Sequence, residues 1–232
     1  MNYPKIYAHV FRNSMPSEIQ TDKVVLIDTH NFTTTAIEAL SNGADSIIPL
    51  NSLKGGISDE IDVVAGDNNS KLRNHPADMT RDIVKGKTVG INSWNGTKAA
   101  HSIRSLDGGD TVYAASLTNA PAIALELYNE DEITFILSGS NGNTPPEDVI
   151  TMQCISNLIN SEPDYAMKIC KNYELFYELL VTQVYEQILS WGDGSENRGT
   201  PFGNPENHAQ EFASQIGSKT ITPVMKEESK FH

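Results

Sequence analysis

The hydrophobic and polar positions of the chain repeat one plan four times. Each copy has a β-branched apolar run, a polar loop rich in Asn, Thr, Ser and Gly, and a segment with helical periodicity. The apolar runs predict strands at 24–27, 88–91, 111–115 and 133–137, and the periodic segments predict helices at 36–40, 99–103, 120–127 and 147–159. This alternation predicts a mostly parallel sheet with helices on both faces.

The rest of the chain adds shorter signals to this plan. They predict strands at 46–50 and 61–64, a helix at 164–191, a loop at 192–207, a helix at 208–216 and a closing strand or extended tail at 220–224. No linker interrupts the pattern, so we predict a single α/β domain over 1–232. A subdivision near residues 52–87 stays open.

Charge and composition exclude several classes of protein. The 17 basic and 30 acidic side chains give a net charge of −13, which opposes binding to nucleic acid. Because the chain has no leader-like start and no uncharged run of eighteen apolar residues, we expect neither secretion nor membrane insertion. Cys154 and Cys170, without a CxxC spacing, are expected to be reduced thiols, as in a cytoplasmic protein.

The polar loops carry the candidate chemistry. In a parallel sheet, the loops at the carboxyl ends of the strands meet at one edge, and each opens a helix with unpaired N–H groups that attract anions. We therefore expect phosphate to be bound there by the side chains and backbone of Thr33, Thr34, Thr35, Asn95, Gly96, Thr97, Ser116 and Asn119. The open alternative is that these residues are helix caps, which Thr, Asn and Ser favour for local reasons.

Carboxylates in the same loops are candidate metal ligands, because a phosphate dianion is commonly neutralised by a metal with oxygen ligands. Asp28 closes the first predicted strand, Asp67 follows 61–64, and Glu147 and Asp148 open the helix at 147–159. For Glu147 and Asp148, favourable charge at a helix start is the alternative.

Other chemistries lack their motifs. The sequence contains no GxGxxG, no GxxxxGK[ST], no GxSxG and no HExxH. His30 and His75 lie in polar loops and are weak candidates for a catalytic base.

Several short motifs follow one another in a set order. They are Asp28 with the Thr33–Thr35 run, Gly66-Asp67, Asn74-His75-Pro76, Asn95-Gly96-Thr97, Asn119-Ala120, and Ser138-Gly139 followed by Glu147-Asp148. Over residues 22–225 this order and spacing resembles the 2-phosphosulfolactate phosphatase family, Mg²⁺-dependent enzymes on the route to coenzyme M. The resemblance implies a three-layer α/β/α fold with the active site in loops at the carboxyl ends of strands.

The resemblance also implies roles. Asp28, Asn95 and Asn119 would be catalytic, Asn74 would join the phosphate-binding loops, and Mg²⁺ would be held by Asp28, Asp67, Glu147 and Asp148. The chain departs from the family's pattern, with Asn31 in place of an arginine, Asp67 in place of a glutamate and Lys71 in place of an aspartate. Lys71 and Arg73 could restore positive charge near the anion, and exposed loop cations are the alternative.

The sequence therefore predicts a Mg²⁺-dependent phosphatase that hydrolyses a small acidic phosphomonoester. A non-catalytic binder of a small anionic metabolite on the same scaffold is the alternative, motivated by the departures at Asn31 and Asp67. The helix at 164–191 is a candidate interface for a homo-oligomer.

Overall fold

The computed structural model describes residues 4–52, 58–66, 70–139, 143–161, 217–225 and 230–232. The expected helices at 164–191 and 208–216, the loop at 192–207 and the proposed ligand Asp67 lie outside these residues.

The described part contains eight strands and five helices. They are β1 (Lys5–Val10), β2 (Lys23–Ile27), α1 (Phe32–Ser41), β3 (Ser46–Leu50), β4 (Val63–Gly66), α2 (Arg81–Val84), β5 (Thr88–Asn92), α3 (Gly96–Arg104), β6 (Thr111–Ala115), α4 (Ala120–Glu126), β7 (Glu132–Leu137), α5 (Pro146–Ile159) and β8 (Val224–Met225). Short 3₁₀ turns span Pro76–Asp78 and Leu117–Asn119.

The strands form two sheets. The larger has the order β1-β7-β2-β6-β8 and the smaller the order β3-β5-β4. All pairs are parallel except β6 with β8, so the expected mostly parallel arrangement with helices is confirmed. Strand β1 was not predicted, because this half-exposed edge strand has no β-branched run. Of the closing strand or extended tail expected at 220–224, only Val224 belongs to a strand, which continues to Met225.

The helices pack on opposite faces of the larger sheet, because successive side chains of a strand point to opposite sides. Val25 and Ile27 of β2 join one apolar cluster with α4 and α5. Val24 and Leu26 join another with α1, α3 and residues of the smaller sheet. Helices α1 and α3 thus lie between the two sheets, which explains why nearly every residue in the first two turns of α1 is buried.

Residues of the described segments 217–225 and 230–232 contact both sheets. Val224 and Met225 pair with β6, and Phe231 exchanges two backbone hydrogen bonds of 2.9 Å with Ile47 of β3. The Phe231 ring also packs edge-on against Phe32 at the start of α1. Of the helices described, none combines the length and apolar character that crossing a bilayer requires.

Candidate active site at the carboxyl edge of the larger sheet

Three neighbouring strands of the larger sheet end at the same level. Val10 pairs with Leu137, and Leu137 pairs with Ile27. The hydrogen bonds continue one residue further, since Phe11 N donates to Leu137 O at 2.9 Å and Ser138 N donates to Ile27 O at 2.8 Å. Asp28 therefore stands in a row with Phe11 and Ser138, and the alternation along β2 puts its side chain on the side of α1 and α3.

The start of α3 lies directly against the Asp28 carboxylate. A Cβ added to Gly96 would meet Asp28 Oδ2 first, would lie 2.8 Å from Asp28 Cγ, and would lie 2.7 Å from the Cβ of Phe32. Only glycine allows this approach of backbone to carboxylate. Because a helix start carries partial positive charge, α3 favours negative charge at this point.

Ser93 and Thr97 fix the start of α3. Thr97 N donates to Ser93 Oγ at 3.0 Å, Ser93 N donates to Thr97 Oγ1 at 3.2 Å, and Thr97 Oγ1 donates to Ser93 O at 3.1 Å. Asn95 occupies the N-cap position but makes no side-chain cap bond there. The Thr97 hydroxyl, predicted to bind substrate, thus holds the loop that presents Asn95 and Gly96.

Asp148 in the first turn of α5 is the second carboxylate of the site. Its Oδ1 accepts a hydrogen bond from Thr29 N at 2.9 Å and its Oδ2 accepts one from Ser138 Oγ at 3.3 Å. The side chain is buried, and this burial, followed by the charges of Asp28 and Glu147, raises the pKa of Asp148 well above its ordinary value. Asp28 and Asp148 therefore share one site, although 119 residues separate Thr29 from Asp148.

Two buried carboxylates this close ionise together only with a compensating positive charge, or else they share a proton. Glu147 is buried beside them, and burial raises its pKa too. Within the described ranges, no three His, Cys, Asp or Glu side chains are arranged to hold a metal by themselves. The donor set nevertheless fits Mg²⁺, which is held by one or two carboxylates together with waters and substrate oxygens.

The three threonines expected to bind substrate lie in the first turn of α1, all buried. The Thr33 hydroxyl donates to Asp28 O at 2.8 Å and accepts from Asp28 N at 3.1 Å, and the Thr34 hydroxyl donates to Thr29 O at 2.8 Å. Through these hydrogen bonds, the two hydroxyls hold the backbone of residues 28 and 29 in place. Thr35 Oγ1 is buried and has no hydrogen-bond partner among the described residues.

Asn119 and Ser116 follow β6, the other neighbour of β2. Asn119 Oδ1 accepts from Ser116 N at 3.0 Å, and Asn119 Nδ2 donates to Ala114 O at 3.1 Å and to Ile221 O at 3.2 Å. The Ser116 and Thr118 hydroxyls are 2.7 Å apart. The Asn119 amide thus links Ile221 to the carboxyl end of β6, and its catalytic role stays a prediction.

A second polar cluster lies beside the start of α1. The pKa of His30 is lowered to about 4, first by burial and further by the nearby His75, against the hydrogen bond that His30 makes with Asn31 at 3.0 Å. His75 Nδ1 accepts from Ala77 N at 3.1 Å. Asn74 Oδ1 is buried with no hydrogen-bond partner in the described parts of the chain. His30 and His75, the two histidines considered as a catalytic base, are therefore neighbours.

Arg73 does not supply the positive charge considered for this region. Its guanidinium makes a two-bond contact with Asp78, from Nε to Oδ2 at 3.1 Å and from Nη2 to Oδ1 at 2.7 Å. Thr29 and Ser138 were not predicted from sequence as partners of Asp148. Ser138 directly follows a strand, as Asp28 does. Because the carboxyl ends of parallel strands meet at one edge, Ser138 could have been predicted to lie near Asp28.

The fold and site together define an α/β protein with two buried carboxylates at the carboxyl edge of a parallel sheet. A family model described as 2-phosphosulpholactate phosphatase matches residues 10–191. This chain belongs to that family.

Curated relatives agree with this assignment. A probable 2-phosphosulfolactate phosphatase of Clostridium perfringens is 31% identical over 186 residues, which cover 73% of this chain and 70% of the relative. Relatives of the same name from Symbiobacterium thermophilum and Thermotoga maritima are 33% and 28% identical, covering 60% and 58% of this chain. The match spans 61% of the Thermotoga maritima protein, which is less than two thirds of its length.

Proposed function

We propose that this chain is a Mg²⁺-dependent phosphatase that hydrolyses a small acidic phosphomonoester, with 2-phosphosulfolactate as the first substrate to test. The observation that carries this proposal is the buried pair of Asp28 and Asp148 next to the start of α3. The names of the relatives supply the substrate. On that substrate the enzyme would act in the cytoplasm, in the biosynthesis of coenzyme M.

The residues of the site have different proposed roles. Asp28 and Asp148 would hold Mg²⁺, which when bound neutralises phosphate charge and polarises the ester. The start of α3 at Gly96 favours the negative charge of the phosphoryl group. Thr33 and Thr34 keep the backbone of residues 28 and 29 in place, so that Asp28 needs little reorganisation when substrate binds.

The test is release of inorganic phosphate from a panel of phosphomonoesters, including 2-phosphosulfolactate, with Mg²⁺ or with EDTA. We expect turnover with Mg²⁺ only, and about a 1,000-fold loss of kcat/KM in Asp28→Asn, which corresponds to about 4 kcal/mol of transition-state stabilisation. The matched control is Asp131→Asn at an exposed position, which should retain wild-type activity.

Turnover of none of the esters by folded protein would contradict the proposal and favour the non-catalytic binder. Full activity in EDTA would contradict the Mg²⁺ requirement while leaving phosphatase activity in place. Wild-type activity in Asp28→Asn would show that the reaction occurs elsewhere.

A further inference from the structure

Arg12 lies at the same edge of the larger sheet as the carboxylate pair. It follows Phe11, which stands level with Ser138 and Asp28 at the ends of β1, β7 and β2. Because neighbouring strands are about 4.8 Å apart, the backbones of β1 and β2 are separated by about 10 Å. A small phosphoester together with the long side chain of an arginine spans such a gap.

The Arg12 side chain lies on the same side of the sheet as the Asp28 carboxylate. Phe11 belongs to the apolar cluster of α1 and α3, which is the side that Asp28 faces. The Arg12 guanidinium lies over the Phe11 ring, 5.2 Å from its centroid. Such a cation–π contact holds the guanidinium near the ring without occupying its N–H donors as a carboxylate would.

The backbone at Arg12 is in an unusual conformation. Its φ of 64° is the one positive φ at a non-glycine residue in the described ranges. The turn is fixed around it, since Asn13 N and Ser14 N both donate to Val10 O, at 3.0 and 2.9 Å, and Val10 N donates to Ser14 Oγ at 2.9 Å. A left-handed arginine costs about 1–2 kcal/mol, and such outliers concentrate at functional sites.

The charge of Arg12 is not neutralised by a neighbouring carboxylate in the described residues. Five other basic side chains there lie within 4.0 Å of an acidic group, namely Lys5, Lys23, Arg73, Lys219 and Lys230. In a chain with a net charge of −13, an exposed arginine without such a partner is available to a ligand.

We propose that Arg12 determines substrate specificity by binding a second acidic group, a carboxylate or sulfonate, of the molecule whose phosphoryl group lies at Asp28 and Asp148. This inference rests on the proposed function, because it takes the carboxylate pair as the phosphoryl site. The guanidinium fork binds the acid through two parallel N–H donors. Esters without a second acidic group would bind without the help of Arg12.

The test compares two ligands that are not hydrolysed. In the presence of Mg²⁺, 3-phosphonopropionate and ethylphosphonate are titrated calorimetrically into the full chain, because they differ only in the carboxylate. We expect the wild type to prefer 3-phosphonopropionate by about 10- to 100-fold, the value of one charge-assisted contact. Arg12→Gln should lose the preference and keep its affinity for ethylphosphonate.

Two further variants control for folding and net charge. Arg12→Gly removes the guanidinium but suits the positive φ, so it should fold and lose the preference as Arg12→Gln does. Arg81→Gln, an exposed arginine on α2, makes the same charge change and should keep the preference.

Absence of a preference in the wild type, or its persistence in both Arg12 variants, would overturn the inference, as would failure to bind either ligand. If phosphoesters are hydrolysed but Arg12 does not affect the preference, only this inference falls. If the preference depends on Arg12 but no phosphoester is hydrolysed, the proposed function falls and recognition by Arg12 stands.

Discussion

Gly96→Ala tests whether the start of α3 positions Asp28. The new methyl group would lie 2.7 Å from Phe32 Cβ, at least 0.7 Å inside the 3.4 Å at which ordinary van der Waals contact begins, and closer still to Asp28 Oδ2. In an unconstrained helix the same change stabilises by about 0.5–1 kcal/mol. Here α3 or Asp28 must move, and overpacking costs about 1–3 kcal/mol.

We therefore expect a net loss of about 1–2 kcal/mol in the free energy of unfolding, or a Tm lower by about 2–8 °C for a chain of this size. Displacement of the Asp28 carboxylate by a sizeable fraction of an ångström should lower kcat/KM by about 100-fold. Thermal unfolding and phosphate release measure the two effects separately.

Gly90→Ala is the matched control. At Gly90 the added Cβ would meet Leu50 Cδ1 at 2.8 Å and Ile61 Cγ2 at 3.0 Å, side-chain atoms away from the carboxylates. Some loss of stability with retained activity is expected there. In an Asp28→Ala background, the cost of Gly96→Ala should shrink, because the nearest clashing atom is gone. A Gly96→Ala protein with wild-type Tm and wild-type kcat/KM would refute the proposed contact.

Three further predictions concern the groups around Asp28. The raised pKa of Asp148 means that folding favours its protonated form, so the free energy of unfolding falls as the pH rises above 3.8, the pKa in the unfolded chain. Asp148→Asn should therefore raise the Tm of metal-free protein at pH 8 more than at pH 4. A lower Tm of this variant at pH 8 would contradict the prediction. Thr33→Val loses two buried hydrogen bonds and should cost about 1–3 kcal/mol by urea unfolding, whereas Thr35→Val should cost little; equal effects would be evidence against the assigned contacts. His30 should titrate by NMR with a pKa of about 4. The stability it contributes above pH 6.5 should therefore be lost as the pH falls toward 4, and a midpoint near 6.5 would contradict the desolvation of its ring.

Much of the fold could be predicted because strands and helices were separated by clear turn residues. The bounds predicted for β3 and β6 match the structure, since Asn42-Gly43 precedes one strand and Gly108-Gly109 precedes the other. The division into two sheets could not be predicted. The strands predicted from sequence share one kind of apolar pattern, and periodicity carries no information about which strands pair.

The positions of the candidate site residues, as distinct from their roles, were predictable in part. Asp28 and Asp148 were both expected at the carboxyl edge of the sheet, because Asp28 directly follows a predicted strand and Asp148 lies at the start of a predicted helix. The threonine hydroxyls and the Asn119 amide bond to backbone, which is the local preference that makes Thr and Asn frequent at helix starts. The approach of Gly96 to Asp28 depends on how α3 packs against β2, and no local pattern encodes that.

The pairing of β8 with β6 and of Phe231 with Ile47 has a consequence for how the molecule folds. Both sheets include backbone partners that are separated by more than a hundred residues. Pairings between residues so far apart in sequence give a high contact order. A long loop must close before these contacts can form, and its closure costs entropy. Refolding should therefore be slow compared with that of a helical bundle of equal length.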